Sequence, residues 1–229
     1  MTAGVEGGGD GDVEAPSQSL HDGERWYHRA LYFVIVNSLR LCARVFFFAS
    51  FQGRRHVPRH GAFVIVANHV SFLDPPSVGI ATPRRIHYLA RASLFRNRFF
   101  GGLIAALGSH PIERGASDRR ALLLAAEILE AGKPFLVFPE GHRSRDGKFG
   151  EFQRGFLLLV KKARVPVVPA WVHGTRTILP PGQKLPRWAR LCVRFGPAIP
   201  CDEALAIGAH GIRERVWALS PEGTGPQAD

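Results

Sequence analysis

The stretch NHVSFLDP, residues 68–75, follows directly on the apolar run AFVIVA, residues 62–67. Six consecutive apolar residues, three of them β-branched, read as a short buried strand. Asp74 followed by Pro75 reads as an N-cap and the first position of a helix. His69 then lies on a strand-to-helix turn, with Asp74 close enough to hold its imidazole. A carboxylate on one ring nitrogen fixes the tautomer and leaves the other nitrogen free as a general base. No serine or cysteine of the chain is obviously paired with His69, so the hydroxyl to be activated is taken to belong to a substrate. The bland alternative is a solvated or core histidine, because this spacing also arises by chance.

Outward from this turn, strand and helix signals alternate. Residues 75–81 start a helix, 86–90 read as a strand, and 94–107 as a helix weakened by Gly101-Gly102. GSHPIER, residues 108–114, is a short strand ending in a basic residue. Residues 118–131 form the clearest helix, with Asp118 at its start and Gly132 as a stop. A strand over 134–138, a helix over 152–163, strands over 165–172 and 189–195, and a closing helix over 201–220 complete the pattern. This alternation predicts an α/β fold, a single domain with a mixed, largely parallel sheet flanked by helices.

A second stretch, FPEGHRSRDGKFGEFQRG, residues 138–155, raises the specificity of the first. Together the two motifs resemble those of the glycerolipid acyltransferases, the 1-acyl-glycerol-3-phosphate acyltransferase family. Asn68, His69, Ser71 and Asp74 match the family's first block, residues 108–114 its second, 138–144 its third and 165–172 its fourth. The resemblance runs from about residue 53 to about residue 200.

The resemblance implies acyl transfer from a thioester, acyl-CoA or acyl carrier protein, to the free hydroxyl of lysophosphatidic acid. His69 would take the hydroxyl proton, Asp74 would orient His69, and no acyl-enzyme, metal or cofactor is required. Arg114 and Arg143 match basic positions that bind the acceptor phosphate, as guanidinium forks suit phosphate oxygens. Glu140, Gly141 and Ser144 belong to the same third block, the glutamate binding the glycerol part or ordering the loop. Oxyanion donors are sought among the backbone amides of residues 70–74 or 138–144. Two departures bear on the acceptor. His142 stands where the family usually has threonine, and Gln153-Arg154 stands where many members have two basic residues, so Arg154 keeps one charge.

Composition agrees with an anionic partner. The chain has 30 Lys and Arg against 19 Asp and Glu, net +11. Residues 1–24 hold six of the acidic residues and no Lys or Arg, so the remainder carries 30 basic against 13 acidic, net +17. Such a field favours membrane lipid or a phosphorylated substrate. No nucleic-acid motif accompanies it, so nucleic acid is not expected as a partner. Cys42, Cys192 and Cys201 show neither paired nor metal-ligand spacing, which fits a reducing compartment.

Residues 1–24 read as a disordered acidic tail rather than a signal peptide. Residues 25–52 read as a hydrophobic membrane-associating helical segment, 53–215 as the acyltransferase domain and 216–229 as a flexible tail. Residues 30–51 are long enough to cross a bilayer, but Arg40 and Arg44 would each cost about 2.5–3.5 kcal/mol near its centre. Arg29, Asn37, Arg40 and Arg44 share one stripe, so the helix is expected to lie in the interface, arginines toward phosphates and aromatics toward acyl chains. A buried helix with snorkelling arginines and a full span are the alternatives. A membrane-associated protein at the cytoplasmic face follows. The same chemistry on a lyso-ornithine lipid or lysophospholipid, and a non-catalytic lipid-binding protein, are the rival functions. A serine hydrolase is disfavoured because no Gly-x-Ser-x-Gly elbow exists.

Overall fold

The computed structural model of the chain describes residues 26–113, 118–144, 146–183 and 185–223. At its centre lies β2 (Val64–Ala67), whose four residues are all fully buried. β5 (Phe135–Val137) and β6 (Val167–His173) run parallel to it on either side, with Val64 opposite both Phe135 and Val167. The five-stranded sheet has the order β1-β7-β6-β2-β5, where β1 is Ser50–Gln52 and β7 is Cys192–Phe195. Among the described strands of this sheet, β6 and β7 are the one antiparallel pair, the others running parallel. The sheet is therefore mixed and largely parallel, as expected.

The apolar run before His69 is continuous because both faces of its strand are covered. Val64 and Val66 point into one core, with Leu129, Phe156, Val160 and Ile212. Those partners come from α4 (Asp118–Glu130), α5 (Gly155–Ala163) and α7 (Cys201–Trp217). Phe63, Ile65 and Ala67 point into the other, with Val78, Ile80 and Ala43. These belong to α2 (Asp74–Ala81) and α1 (Trp26–Phe47).

A parallel pair, β3 (Tyr88–Arg91) and β4 (Ser109–Ile112), extends this arrangement beyond β5. The His87 N–H donates to Pro134 O and its carbonyl accepts from Leu136 N–H. His87 Nδ1 and His110 Nε2 lie 2.9 Å apart. Burial pushes both imidazoles down, His87 to about 3 and His110 to about 4, with Arg85 and Lys133 adding positive charge. The folded state thus holds fewer protons than the unfolded chain below pH ~6.5, and stability is lost as pH falls from there toward 4. Thermal midpoints measured across that range should drop for wild type and drop less for His110→Asn.

Several boundaries differ from expectation. Leu73, not Asp74, is the N-cap of α2, and Asp74 itself opens the helix. The expected helix over 94–107 is split: a 3-10 turn, Ala92–Phe95, precedes α3 (Arg98–Ala106). Asn97 causes the break, its side chain accepting the Phe100 N–H as an N-cap. α5 begins at Gly155 rather than residue 152, and α7 bends at Gly208, whose φ of 66° is left-handed. Val216 and Ser220, assigned to a flexible tail, are buried, and Arg194 donates to the carbonyls of Leu219 and Ser220.

The N-terminal segment also departs from its expected orientation. Arg40 points inward, donating to the carbonyls of Ile80 and Thr82 at the end of α2. Those carbonyls lack intrahelical partners, so the guanidinium caps the helix and meets its negative pole. Asn37 accepts from the same guanidinium. Asn37 and Arg40 of the polar stripe therefore face the domain, while Arg44 of the same stripe is exposed. The Arg29 side chain and residues 1–25 lie outside the described residues, as does the tail beyond 223. The opposite side of α1 exposes Leu31, Val34, Leu41, Val45 and Phe46, and Phe33 is exposed one turn before Asn37. Residues 30–47 are long and apolar enough, by length and composition, to cross a membrane.

Candidate active site

The turn after β2 is held by side chains acting as backbone. Asn68 donates to Val172 O at 2.9 Å and accepts from Val172 N–H at 2.7 Å, adding one rung between the ends of β2 and β6. His69 follows, its Nδ1 2.9 Å from Asp74 Oδ2. That oxygen also accepts the N–H groups of Val70 and Ser71, each at 2.7 Å. The other oxygen of Asp74 accepts the hydroxyl of Thr175, the first residue of α6 (Thr175–Ile178). Asp74 is fully buried, and four donors offset the desolvation of its charge. It also sits in the first turn of α2, where the helix dipole favours an anion. The His69 ring stacks on Phe138, centroids 4.1 Å apart.

The second motif stretch, residues 138–155, clamps this turn from outside. The Glu140 carboxylate accepts the His69 N–H at 2.8 Å through one oxygen and the Gly150 N–H at 3.2 Å through the other. Burial pushes the Glu140 carboxyl above the usual range, while the two amide donors pull the opposite way. Ser144 N–H donates to His69 O, and its hydroxyl ties Asp146 and Gly147 into the loop. Gly141 has a φ of 74°, and a Cβ there would meet Gln153 Nε2 at 2.6 Å.

His69, Asp74, Glu140 and Ser144 are thus brought together, with Gly141 in the turn between the last two. His142, Arg143 and Arg154 are exposed around the same loop, with Arg154 at the start of α5. Arg114 lies outside the described residues. Four of the five amides of residues 70–74, all but that of Phe72, are corrected as oxyanion donors. Those of Val70 and Ser71 are committed to Asp74, and those of Leu73 and Asp74 to Ser71. A cavity of about 550 Å³ opens beside the turn, its wall including Asn68, Val70, Trp171, Arg176 and Arg213.

Sequence reasoning missed Thr175 and the pairing of Asn68 with Val172. Asn68 stood in the first block as a match, without a role. Thr175 lies 101 residues from Asp74 and carried no local signal.

The family model described as Acyltransferase matches residues 49–173, from β1 to the end of β6. This chain belongs to that acyltransferase family. It is 34% identical over 154 residues to a 1-acyl-sn-glycerol-3-phosphate acyltransferase of Chlamydomonas reinhardtii, covering 65% of this chain and 46% of that one. A protein of the same name from Bacillus subtilis is 23% identical over 194 residues, covering 81% of this chain and 92% of the other. A chloroplastic one from Brassica napus is 30% identical, but the chain spans only 41% of its length. The crystal structure of the 1-acyl-sn-glycerophosphate (LPA) acyltransferase of Thermotoga maritima superposes with a TM-score of 0.72 over 89% of this chain and 83% of that one, at 24% identity, a likeness of fold.

Proposed function

We propose that the chain transfers an acyl group from an acyl thioester to the free hydroxyl of lysophosphatidic acid, yielding phosphatidic acid. The observation that carries this reading is the His69–Asp74 pair without a protein nucleophile. Among the described residues, no serine, threonine or cysteine hydroxyl or thiol hydrogen-bonds the second imidazole nitrogen, so the group deprotonated there comes from outside. The names of the relatives supply the acceptor.

In this mechanism the proton of the acceptor hydroxyl moves to His69 Nε2 as the oxygen attacks the thioester carbonyl. The tetrahedral oxyanion collapses, the carbon–sulfur bond breaks, and the proton passes from His69 to the departing thiolate. Asp74 keeps the proton on Nδ1 beforehand and stabilises the imidazolium afterwards. Of the amides considered as oxyanion donors, those of Phe72, Glu140, His142 and Arg143 remain uncommitted among the described residues. Arg143, exposed beside them, is suited to the acceptor phosphate, and the exposed Arg154 to the same anion. The exposed apolar face of α1 supports association with a membrane, where the acceptor resides.

The test is thiol release from palmitoyl-coenzyme A, with and without lysophosphatidic acid. Acceptor-dependent release supports the transferase reading, and acceptor-independent release would make the chain a thioesterase. A parallel series with acyl carrier protein decides the donor, and one with lyso-ornithine lipid or lysophospholipid decides the acceptor.

Thr175 acts here as a positioning residue. Thr175→Val would leave one buried oxygen of Asp74 without a partner, and a hydrogen bond to a charged group is worth about 1.5–3 kcal/mol. A fall of about tenfold in kcat with little change in KM is expected. The pH profile should shift with it, and Thr175→Ser should restore both. A loss in KM alone would contradict the role.

A further inference from the structure

Between Asp74 and Glu113 the chain carries five arginines and no carboxylate. Within this cationic segment, α3 turns an apolar side to solvent. Phe99 is 93% exposed, with Phe100 at 36% and Leu103 at 38%. Phe72, on the same turn as His69, is 38% exposed, and its ring stacks on Phe100 with centroids 6.2 Å apart. The patch therefore begins three residues from the dyad histidine.

α3 cannot roll to hide these rings. Its inner side is already seated: Gly101 and Ile104 are buried, and a Cβ at Gly101 would lie 2.8 Å from the Phe95 backbone. Arg91, Arg96 and Arg98 stand exposed along the rim. Aromatic side chains ringed by cations, with no acidic residue among them, fit an anionic lipid surface rather than an ordinary protein partner. The patch is also linked to α1. Arg85 lies over the Tyr32 ring of α1 at 5.4 Å and donates to Ala105 O of α3 at 3.4 Å.

We propose that Phe72, Phe99, Phe100 and Leu103 enter an anionic lipid surface, with Arg91, Arg96 and Arg98 on headgroup phosphates. This is a second lipid contact, separate from α1, and it sets the His69 turn against the bilayer. The contact is independent of the acyl-transfer reading, because its readouts need no substrate.

The full chain is mixed with phosphatidylcholine vesicles, with and without phosphatidylglycerol. Phe99→Glu combined with Leu103→Glu should lower partition by at least about tenfold, given the apolar area removed. Arg96→Gln with Arg98→Gln should weaken only the binding that depends on phosphatidylglycerol. The emission that Phe99→Trp adds to wild type should be quenched by brominated acyl chains, whereas that added by Glu127→Trp, exposed on α4, should not. An unchanged thermal midpoint checks folding of each variant. The proposal is overturned by an unquenched Trp at position 99 on vesicle-bound protein, by unchanged partition of the double glutamate variant, or by no binding to vesicles. The first two of these results would assign lipid contact to α1 alone and leave the α3 face to a protein.

Discussion

His69→Ala is expected to lower the acyl-transfer rate by about 10²–10⁴-fold, the usual cost of losing a positioned general base. That corresponds to about 2.7–5.5 kcal/mol of barrier. The acceptor hydroxyl is a poor nucleophile while it keeps its proton, and no neighbouring group replaces the imidazole. Glu140 is close, but its two oxygens are held by the amides of His69 and Gly150. A modest loss of stability should accompany the drop: the ring's bond to Asp74 and its stacking on Phe138 go, but Asp74 Oδ2 keeps the Val70 and Ser71 amides and the His69 main-chain bonds to Glu140 and Ser144 remain. Single-turnover thiol release at saturating acceptor, beside a thermal melt, checks both halves. A mutant retaining a tenth of the wild-type rate would sink the general-base assignment.

Asp74→Asn should cost about 10²–10³-fold, and it separates charge from geometry. The side-chain amide can orient in only one way without placing its hydrogens against other donors. Its oxygen must face the amides of Val70 and Ser71 and the His69 ring, while its nitrogen faces the Thr175 hydroxyl. The His69 tautomer is then preserved and only the negative charge is lost. The pH dependence of the rate should move accordingly, since a neutral partner stabilises the imidazolium less. Asp74→Ala differs in kind. It leaves the buried Ser71 N–H unsatisfied at about 1–3 kcal/mol and the half-buried Val70 N–H without its partner, a sizeable part of the stability of a domain. Thermal midpoints should therefore fall sharply for alanine and modestly for asparagine. Equal midpoints would mean that the turn does not depend on this carboxylate.

The parts of the molecule legible in the sequence were those written locally. A continuous apolar run, a Pro after Asp and a Gly after a Leu/Ala body marked β2, α2 and the end of α4. His69 and Asp74 fall within reach of each other because one short turn separates them. What the chain did not reveal is what each element meets. Helical periodicity places Asn37 and Arg40 on one face, but only packing shows that this face caps α2 instead of lying on lipid. Asp74 looked like a cap for its own helix, yet its oxygens are spent on the turn before it and on Thr175. The break at Asn97 was readable in principle, since an Asn three residues before the next bonded amide is a capping signal, but the apolar continuity around it dominated.

Asn68 uses its side chain as a neighbouring strand would use its main chain, with both bonds made to Val172. The peptide can therefore leave the sheet within one residue without fraying either β2 or β6. His69 is indexed to the central strand pair, so it cannot drift out of place while that pair remains zipped. Heat or denaturant should then abolish catalysis in the same cooperative transition that melts the core, with no earlier inactive but folded stage.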